Sequence, residues 1–314
     1  MDRRTVLIVV LALCGAFAVF VVGAAFVVAA ALGAASGGEL GRESGSAKVG
    51  VVEIQGVIGS PDQILKDLRR FRRQSDIKAI VVRVDSPGGS VAPSQEIHDA
   101  IVETVKKKPV VVSMGNLAAS GGFYVSVAAS KIYAEPGTLT GSIGVISELP
   151  EADQLLDWAK IHVNVVKTGK FKDLGSPLRP MTDDDKKLFQ ALLDDVYGQF
   201  LQAVADGRKL PVEKIRPIAD GRVLSGAQAK KLGLVDAFGG LEDAAKAALE
   251  LAHVKAKPSL VYPPEELRFE LSDLVKQGSS SAARGLAAGL RGEALPPMGL
   301  LFLAPGLAPA GNGR

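Results

Sequence analysis

The chain has 314 residues, of which 47% are hydrophobic and 23% are charged, and its formal net charge is +3. This length and composition predict at least one sizeable folded core and exclude disorder as the main state. Because acidic and basic residues nearly balance, and no basic stripe with interleaved aromatic residues occurs, we expect no nucleic-acid partner.

The N-terminus is dominated by an apolar segment that contains no charged residue from Thr5 to Gly38. A helix within residues 1–34 is long enough to span a bilayer, and Arg3 and Arg4 predict that its N-terminus stays in the cytoplasm. A cleaved signal peptide is the alternative, because "ALGAAS" offers small residues. The apolar cores of such peptides are usually about 7–15 residues long, so we predict an uncleaved, single-pass transmembrane anchor.

The only cysteine, Cys14, lies inside this predicted anchor. The rest of the chain therefore has neither a disulfide framework nor a thiol nucleophile, and covalent chemistry there must use oxygen or nitrogen. Residues 35–47 are rich in glycine and serine, which predicts a flexible linker.

From residue 48 onwards, short β-branched runs alternate with amphipathic segments. "KVGVVEIQGVIG", "KAIVVRVDS", "PVVVSMG", "KIYAE" and "IHVNVVKTG" predict strands, and "PEADQLLDWAK" predicts a helix. This alternation is typical of a parallel sheet covered by helices, so we predict one α/β domain over residues 48–264. The longest helical periodicity follows Thr182, which we predict as its N-cap, and a helix packed on the core explains that pattern.

Residues 265–314 are rich in Gly, Ala, Pro and Leu and contain few charges. This composition predicts a low-complexity tail. Its apolar stretch "MGLLFLAPGL" is compatible with docking on the domain, on a neighbouring subunit or on lipid, and the sequence leaves these three open.

Two glycine-containing turns follow predicted strands. In "VDSPGGSV", Gly88 and Gly89 leave backbone N–H groups exposed, as an oxyanion hole requires. In "NLAASGGFYVSVAAS", Ser120 follows "PVVVSMG" and is therefore expected at the carboxyl edge of the sheet, where α/β folds build their sites. An ordinary tight turn remains the alternative explanation of the first string, and a small serine at a helix start remains that of the second; the G-x-S-x-G motif of esterases is absent.

The residues alone leave open which base would activate Ser120. Three histidines occur, none in a recognisable triad context, and only the second is retained as a minor candidate: His98, His162 and His253. The string "VVKTGKFKDLGSP" offers three lysines instead: Lys167, Lys170 and Lys172. A lysine acts as a general base only where burial lowers its pKa towards neutrality, and spacing does not choose among the three.

Phe171 and Leu174 would suit an apolar environment for Lys172. A further glycine-bracketed string, "GTLTGSIGVI", contains Ser142. The hydroxyl of this serine is able to orient a neutral amine by a hydrogen bond. Taken alone, this string is an ordinary turn.

In their order along the chain, "DSPGGSV", "AASGGFYVSVAAS", "GTLTGSIGVI", "GKFKD" and "GRVLSGAQAKKLGLVD" resemble signal peptide peptidase A, a family of membrane-bound serine peptidases with a Ser/Lys dyad. The resemblance spans roughly residues 48–251 and is to the short, single-domain form of the family. It implies an α/β fold of the Clp protease/crotonase-like type, with repeated ββα units.

The resemblance also implies a role for five residues. Ser120 matches the family's nucleophile, Lys172 its general base and Ser142 the hydroxyl that orients the lysine. The backbone N–H groups of Gly89 and Gly121 match the oxyanion hole. No metal and no organic cofactor is implied.

The implied activity is that of a serine endopeptidase that cleaves remnant signal peptides and other apolar peptides at the outer face of a bacterial cytoplasmic membrane. The implied partners are these peptides, membrane lipid around the N-terminal helix, and further copies of the chain in a homo-oligomeric ring whose neighbouring subunits complete the dyads. Two alternatives remain: a crotonase-like acyl-CoA enzyme, which requires a catalytic carboxylate, and a membrane-tethered scaffold that binds peptides without turnover.

Overall fold

The structure is a computed structural model, and it describes residues 45–264 and 301–303. The predicted anchor of residues 1–34, nearly all of the predicted linker and most of the predicted tail lie outside the described residues. Among the residues that are described, no helix has the length and apolar character needed to cross a bilayer.

The strands of the described part are β1 (Ser46–Gln55), β2 (Ile77–Ser86), β3 (Gly88–Ser90), β4 (Val110–Ala119), β5 (Lys131–Ala134), β6 (Leu139–Gly141), β7 (Val223–Ser225), β8 (Ala237–Phe238), β9 (Lys257–Val261) and β10 (Leu301–Leu303). The helices are α1 (Asp62–Arg73), α2 (Val91–Val105), α3 (Gly121–Ser126), α4 (Asp153–Trp158), α5 (Asp183–Arg208), α6 (Val212–Ile215), α7 (Gly226–Lys231) and α8 (Leu241–Leu251), with a 3₁₀ turn at Arg216–Ile218.

Eight of these strands form one sheet in which β7, β6, β4, β2, β1 and β9 follow each other, while β5 pairs with β4 and β8. The pairs β1–β2, β2–β4, β4–β6, β4–β5 and β5–β8 are parallel, and β6–β7 is antiparallel. A second, two-stranded sheet joins β3 and β10 in antiparallel fashion. The predicted α/β architecture with a mainly parallel sheet is thus confirmed.

Helices cover both faces of this sheet. Along β2, Ala79 and Val81 pack with α8, whereas Ile80 and Val82 belong to a larger cluster with α1, α2, α3 and α5. Successive side chains of a strand point to opposite faces, so a strand buried on both must be apolar throughout. This requirement explains why β1, β2 and β4 read as nearly continuous runs of valine and isoleucine.

Helix α5 begins where the sequence predicts. Thr182 is its N-cap: the Thr182 hydroxyl accepts a hydrogen bond from the Asp185 N–H at 3.1 Å, and the Asp185 carboxylate accepts one from the Thr182 N–H at 3.0 Å. The C-terminal half packs on the core through Phe200, Leu201 and Val204. The N-terminal half does not, because Leu188 and Leu192 are more than 40% exposed. The core-packing interpretation is therefore wrong for that half within the single chain.

The strand predicted for "IHVNVVKTG" is also absent. Residues 161–168 carry no regular secondary structure in the described fold, and Val166 is 99% exposed. A β-branched run forms a strand only where a neighbouring strand accepts its hydrogen bonds, and none is paired with this segment. The predicted helix just before it is present as α4.

Two glycines of α5 give a matched pair for testing the packing of this helix. A Cβ added at Gly207 would lie 2.1 Å from the Val127 carbonyl oxygen, whereas a Cβ at Gly198 would meet no atom within 4 Å. We expect Gly198→Ala to raise the free energy of unfolding by about 0.5–1 kcal/mol, because alanine favours the helix. We expect Gly207→Ala to lower it by about 1–3 kcal/mol through overpacking. Urea unfolding followed by circular dichroism measures both, and effects of the same sign would contradict the described contact.

Candidate active site

Ser120 lies at the turn between β4 and α3, at the carboxyl end of a central parallel strand. Its backbone φ is 53° and its ψ is −116°, a conformation that residues other than glycine rarely adopt. Two hydrogen bonds hold it there: the Ser120 N–H donates to the Gly141 carbonyl at 2.8 Å, and the Ser120 carbonyl accepts from the Tyr124 N–H at 2.8 Å. Strain of this kind, fixed by its surroundings, is typical of functional sites.

The Ser120 side chain is fully buried, and among the described residues its Oγ has no hydrogen-bond partner. Leaving a buried hydroxyl unpaired costs about 1–3 kcal/mol. An unsatisfied polar atom in a folded core therefore needs an explanation, and a catalytic role is one of the standard ones.

Ser142 lies beside Ser120 at the same sheet edge. Strand β6 runs parallel to β4 with Gly141 opposite Ala119, so the residues that follow both strands, Ser142 and Ser120, emerge together. Ser142 is buried, has a φ of 50°, and its N–H donates to the Arg222 carbonyl at 2.8 Å. The structure thus brings these two predicted site residues together.

The turn after β2 approaches the same edge. Ser86 pairs with Ala118, and its hydroxyl donates to the Gly56 carbonyl at 2.6 Å and accepts from the Gly88 N–H at 3.1 Å. A Cβ at Gly122 would lie 2.8 Å from the Ser86 carbonyl oxygen, so the start of α3 packs directly on this turn.

Gly89 has a defined orientation within that turn. The Ser90 N–H donates to the Ile58 carbonyl at 2.8 Å, and the Gly88 carbonyl accepts from the Ile58 N–H at 2.9 Å. Because backbone groups alternate along a strand, the N–H of Gly89 points away from Ile58. A Cβ at Gly89 would lie 2.2 Å from the Ile58 carbonyl oxygen, so this position requires glycine. Gly121, the other predicted oxyanion donor, directly follows Ser120 as the first residue of α3.

Lys172 is not brought to Ser120 within the single chain. It lies in an irregular turn, its backbone N–H donates to the Gly169 carbonyl at 3.3 Å, and its side chain is exposed. No hydrogen bond or ion pair of the Lys172 amine is found among the described residues, and the neighbouring Phe171 is 38% exposed. The apolar environment anticipated around this lysine is therefore not supplied by one chain alone.

The other two lysines of this string are engaged. Lys167 forms an ion pair with Asp173 and donates to the Lys170 carbonyl at 3.1 Å, and Lys170 forms an ion pair with Asp184. An adjacent carboxylate stabilises the charged form of an amine and so opposes its use as a base. This contrast, which spacing does not supply, distinguishes Lys172 from its neighbours.

Arg179 ties the turn that carries Lys172 to the start of α5. Its guanidinium donates to both carboxylate oxygens of Asp173 at 3.0 Å and to Asp185 at 2.6 Å. The Arg179 hydrogen bonds hold the pKa of both carboxyls well below their usual range. Asp173 directly follows Lys172, and Asp185 belongs to the capping box of α5, so the cluster fixes one end of this turn.

The histidines lie elsewhere. His98 contacts Asp99 at 3.1 Å and the ring of Tyr124 at a centroid distance of 5.0 Å. His162 and His253 are exposed. Among the described residues none of the three bonds to Ser120, and no group of three or more His, Cys, Asp or Glu side chains is placed to hold a metal ion.

Beside Ser142 the structure reveals a cavity of about 320 Å³ that sequence reasoning missed. Its apolar lining includes Ile143, Val145, Leu193 and Tyr197, and Asp194 and Asp220 add carboxylates. The lining comes from three segments that lie far apart along the chain, and no local pattern reports their proximity. The exposed N-terminal half of α5 supplies one of the walls.

Comparisons with known proteins cover most of the described domain. The model of peptidase family S49 matches residues 103–255, and a Clp protease model matches residues 57–138. A Synechocystis sp. protein named as a candidate protease is 42% identical over 207 residues, which is 65% of this chain and 74% of that protein. Protease 4 of Salmonella typhi is 39% identical over 204 residues, 65% of this chain and 33% of that protein.

Serine protease SPPA, chloroplastic, of Arabidopsis thaliana is 34% identical over 211 residues, 65% of this chain and 31% of that protein. The matched region therefore spans about a third of the two longer relatives and about three quarters of the Synechocystis protein.

The Arg179 cluster predicts a specific dependence of stability on pH. Carboxyls whose pKa is depressed on folding stabilise the folded state above their ordinary value of 3.8, and this contribution is lost as the pH falls below it. We expect Arg179→Gln to lower the free energy of unfolding, with the largest difference from wild type above about pH 5 and a smaller one below about pH 4. Urea titrations at several pH values measure this difference.

Arg222→Gln is the control, because its partner Asp220 is half exposed and exposed pairs contribute little. A difference for Arg179→Gln that stays constant from pH 3 to pH 7 would contradict the assigned role of the cluster.

Proposed function

The chain belongs to peptidase family S49 and is a protease, and from this membership we propose that it is a serine endopeptidase in which Ser120 is the nucleophile and Lys172 the general base. The observation that carries the proposal is the Ser120 hydroxyl, which is buried at the carboxyl edge of the sheet and has no hydrogen-bond partner among the described residues. An activated nucleophile needs a base within hydrogen-bond reach, and no other group of the described chain competes for this hydroxyl.

The proposed domain fold is of the Clp protease/crotonase-like type. The Clp protease match over residues 57–138 supports it, as does the course of the chain from β1 to β4, in which β3 leaves the main sheet directly after β2. In this arrangement the β2–β3 turn and the β4–α3 turn meet, and the site is built between them.

In the proposed mechanism the Ser120 oxygen attacks a peptide carbonyl while Lys172 takes the hydroxyl proton. The N–H groups of Gly89 and Gly121 donate to the oxyanion that develops, since one points away from Ile58 and the other directly follows the nucleophile. The protonated lysine then supplies the proton to the departing amine, and water repeats the steps on the acyl-enzyme. Ser142, emerging beside Ser120, orients the lysine amine.

We propose that the base reaches Ser120 from a neighbouring subunit of a homo-oligomeric ring. In one chain Lys172 is exposed, and the segment 155–171 around it exposes several large apolar side chains: Leu155, Trp158, Ile161, Val163, Val165, Val166 and Phe171. A contiguous set of exposed apolar residues is typical of a protein–protein interface. Burial of this segment against another copy would desolvate Lys172 and lower its pKa, as a general base requires.

The proposed substrates are apolar peptides, remnant signal peptides above all. The apolar part of the wall of the cavity beside Ser142 supports this class, because it offers a substrate side chain Ile143, Val145 and Leu193 to pack against. Residues 1–34 are proposed to anchor the chain in a bacterial cytoplasmic membrane, with the peptidase domain on the outer side, where cleaved signal peptides remain.

Ser120→Ala tests the proposal, with Ser126→Ala as its matched control. Ser126 is a buried serine of α3, the helix that begins directly after Ser120, and its hydroxyl already donates to the Gly122 carbonyl at 2.6 Å. With a synthetic apolar signal peptide, followed by mass spectrometry, we expect Ser120→Ala to lose at least about a thousandfold in kcat and Ser126→Ala to retain most activity. Equal cleavage by wild type and Ser120→Ala would exclude Ser120 as the nucleophile. Binding of the peptide without cleavage by a folded wild type would favour the alternative of a scaffold that binds peptides without turnover.

The lysine base predicts that kcat/KM rises with pH up to the pKa of Lys172. We expect Lys172→Ala and Lys172→Arg to abolish cleavage, because arginine keeps the charge and does not deprotonate. Lys170→Ala is the control, since that amine is paired with Asp184. Full activity of Lys172→Arg would exclude Lys172 as the general base.

Mixing the inactive Ser120→Ala and Lys172→Ala variants tests how the dyads are completed. If serine and lysine come from different subunits, a mixed ring regains up to about a quarter of wild-type activity, because each dyad draws on two independently mixed neighbours. No recovery, in a mixture shown to exchange subunits, would contradict completion between subunits.

A further inference from the structure

Basic residues are concentrated at the amino edge of the main sheet, opposite to the candidate active site. Strands β1, β2, β4 and β5 are parallel and therefore begin at one edge. Helices α1 and α2 lead back to the starts of β2 and β4, so their last turns lie at this edge as well. We call this surface the basic edge, and it consists of residues 46–48, 70–78, 103–108 and 130–131.

The basic edge differs in charge from the rest of the protein. It holds nine basic and two acidic residues, a charge of +7, whereas the whole chain carries +3. The remainder of the chain is therefore net acidic, and the positive charge is gathered at one end of the sheet. The nine cations are Lys48, Arg70, Arg72, Arg73, Lys78, Lys106, Lys107, Lys108 and Lys131.

Both acidic residues of the basic edge are already paired. Asp76 forms an ion pair with Lys48 at 3.0 Å, and Glu103 forms one with Lys106. Within the described part of the chain, the other seven cations form no ion pair; Lys78, for example, donates to the Ser75 carbonyl at 3.1 Å. The described fold thus leaves most of this positive charge without a carboxylate partner.

The stability of the helix ends explains only part of the charge. The last turn of α1 holds three of the cations, and the helix dipole favours cations there. Lys108 also supports this helix, because its amine donates to the Phe71 carbonyl at 2.8 Å. Lys78 and Lys131, however, lie at the starts of β2 and β5, and strands have only small net dipoles. Their charge therefore calls for a partner outside the domain.

The course of the chain indicates where that partner lies. Strand β1 begins at Ser46, and the predicted linker of residues 35–47 leads into it from the proposed anchor. A glycine- and serine-rich segment of this length has an end-to-end distance of about 20 Å. In the proposed anchored form, the basic edge is therefore tethered close to lipid.

We propose that the basic edge docks on anionic lipid headgroups of the membrane that holds the anchor. This inference rests on the anchor of the proposed function and adds an electrostatic contact to it. The cations come from four separate segments and spread along an edge of the sheet, which suits a flat array of phosphates better than one small anion. An anionic leaflet attracts each nearby Lys or Arg strongly enough to raise a binding constant about fivefold.

Docking of the basic edge orients the active site. The ten residues of β4 run from this edge to Ser120, a distance of roughly 30 Å at the usual rise of a strand. The docked domain therefore holds Ser120 on the far side of the sheet from lipid. Its substrates are peptides that have left the bilayer, not peptides still embedded in it.

The test is amine labelling of the full chain in lipid nanodiscs, with an uncharged reagent and mass spectrometry of each lysine. One set of discs contains phosphatidylcholine alone, and the other also contains phosphatidylglycerol. We expect the two reporter lysines, Lys78 and Lys107, to react at least about fivefold more slowly in the anionic discs. High salt is expected to restore their rate, because it screens the attraction. Lys187, exposed at the start of α5, is the control and is expected to react alike in both discs.

A pair of double variants tests the contribution of the charge. We expect Arg72→Gln combined with Arg73→Gln to label the reporter lysines at least about twice as fast as wild type in the anionic discs. Lys186→Gln combined with Lys187→Gln removes the same charge from the start of α5 and is expected to label them as wild type does. Both double variants are expected to cleave a soluble apolar peptide at the wild-type rate, because they leave the proposed catalytic residues unchanged.

The outcomes separate the docking from the proposed function. Equal labelling of the reporter lysines in the two kinds of disc overturns the docking. Equally slow labelling in both, as cover by another copy would give, also overturns it, as does an equal slowing of Lys187 in the anionic discs. Failure of wild type to cleave the soluble peptide overturns the proposed peptidase without changing the labelling pattern. Release of the chain from both discs by high salt overturns the proposed anchor, and the labelling at low salt still decides the docking.

Discussion

The parallel pairing of β4 with β2 on one side and β6 on the other is the constraint on which the site depends. It ends three neighbouring strands at the same edge and places Ser120 between the Ser86 turn and Gly141. A serine at a positive φ is strained by about 1–3 kcal/mol, and only surroundings that over-determine the backbone maintain it. Here the strands, the Ser120–Gly141 hydrogen bond and the first turn of α3 together do so.

In the proposed mechanism, the carboxyl edge of the sheet carries the nucleophile and the oxyanion donors, and the exposed turn around Lys172 carries the base. Nucleophile and oxyanion donors lie on strand ends and a helix start, where backbone hydrogen bonds fix each one. The base lies on an irregular turn that Arg179 anchors at one end only. In the proposed mechanism the nucleophile is activated only when an apolar surface covers that turn and desolvates the lysine amine. Such a division would confine proteolysis to the assembled form.

The sequence predicts those parts of the fold in which local pattern and tertiary burial agree. β1, β2 and β4 are recognisable because burial on both faces demands uninterrupted apolar runs, and the capping residues of α5 mark its start. The predicted strand at 161–168 fails because its β-branched residues have no strand to pair with. The apolar face at Leu188 and Leu192 is real, but nothing in the described chain covers it. Helical periodicity predicts that one face of a helix will be buried, but it does not identify the surface that covers that face.

The same distinction applies to the site. The turns that hold Gly89 and Ser120 are visible in the sequence, because glycine is required where backbones approach closely. The meeting of Ser142 with Ser120 is not, since it depends on the pairing of β4 with β6, and neither is the cavity beside Ser142, which residues 219–221 help to line. The engagement of Lys167 and Lys170 by carboxylates likewise comes only from the folded turn.

Recognition of a substrate by strand pairing would let the proposed site combine broad acceptance with preference. A strand that recognises its ligand through backbone groups tolerates many side chains, so discrimination would come from the cavity beside Ser142 and from the requirement for an extended, proline-free run.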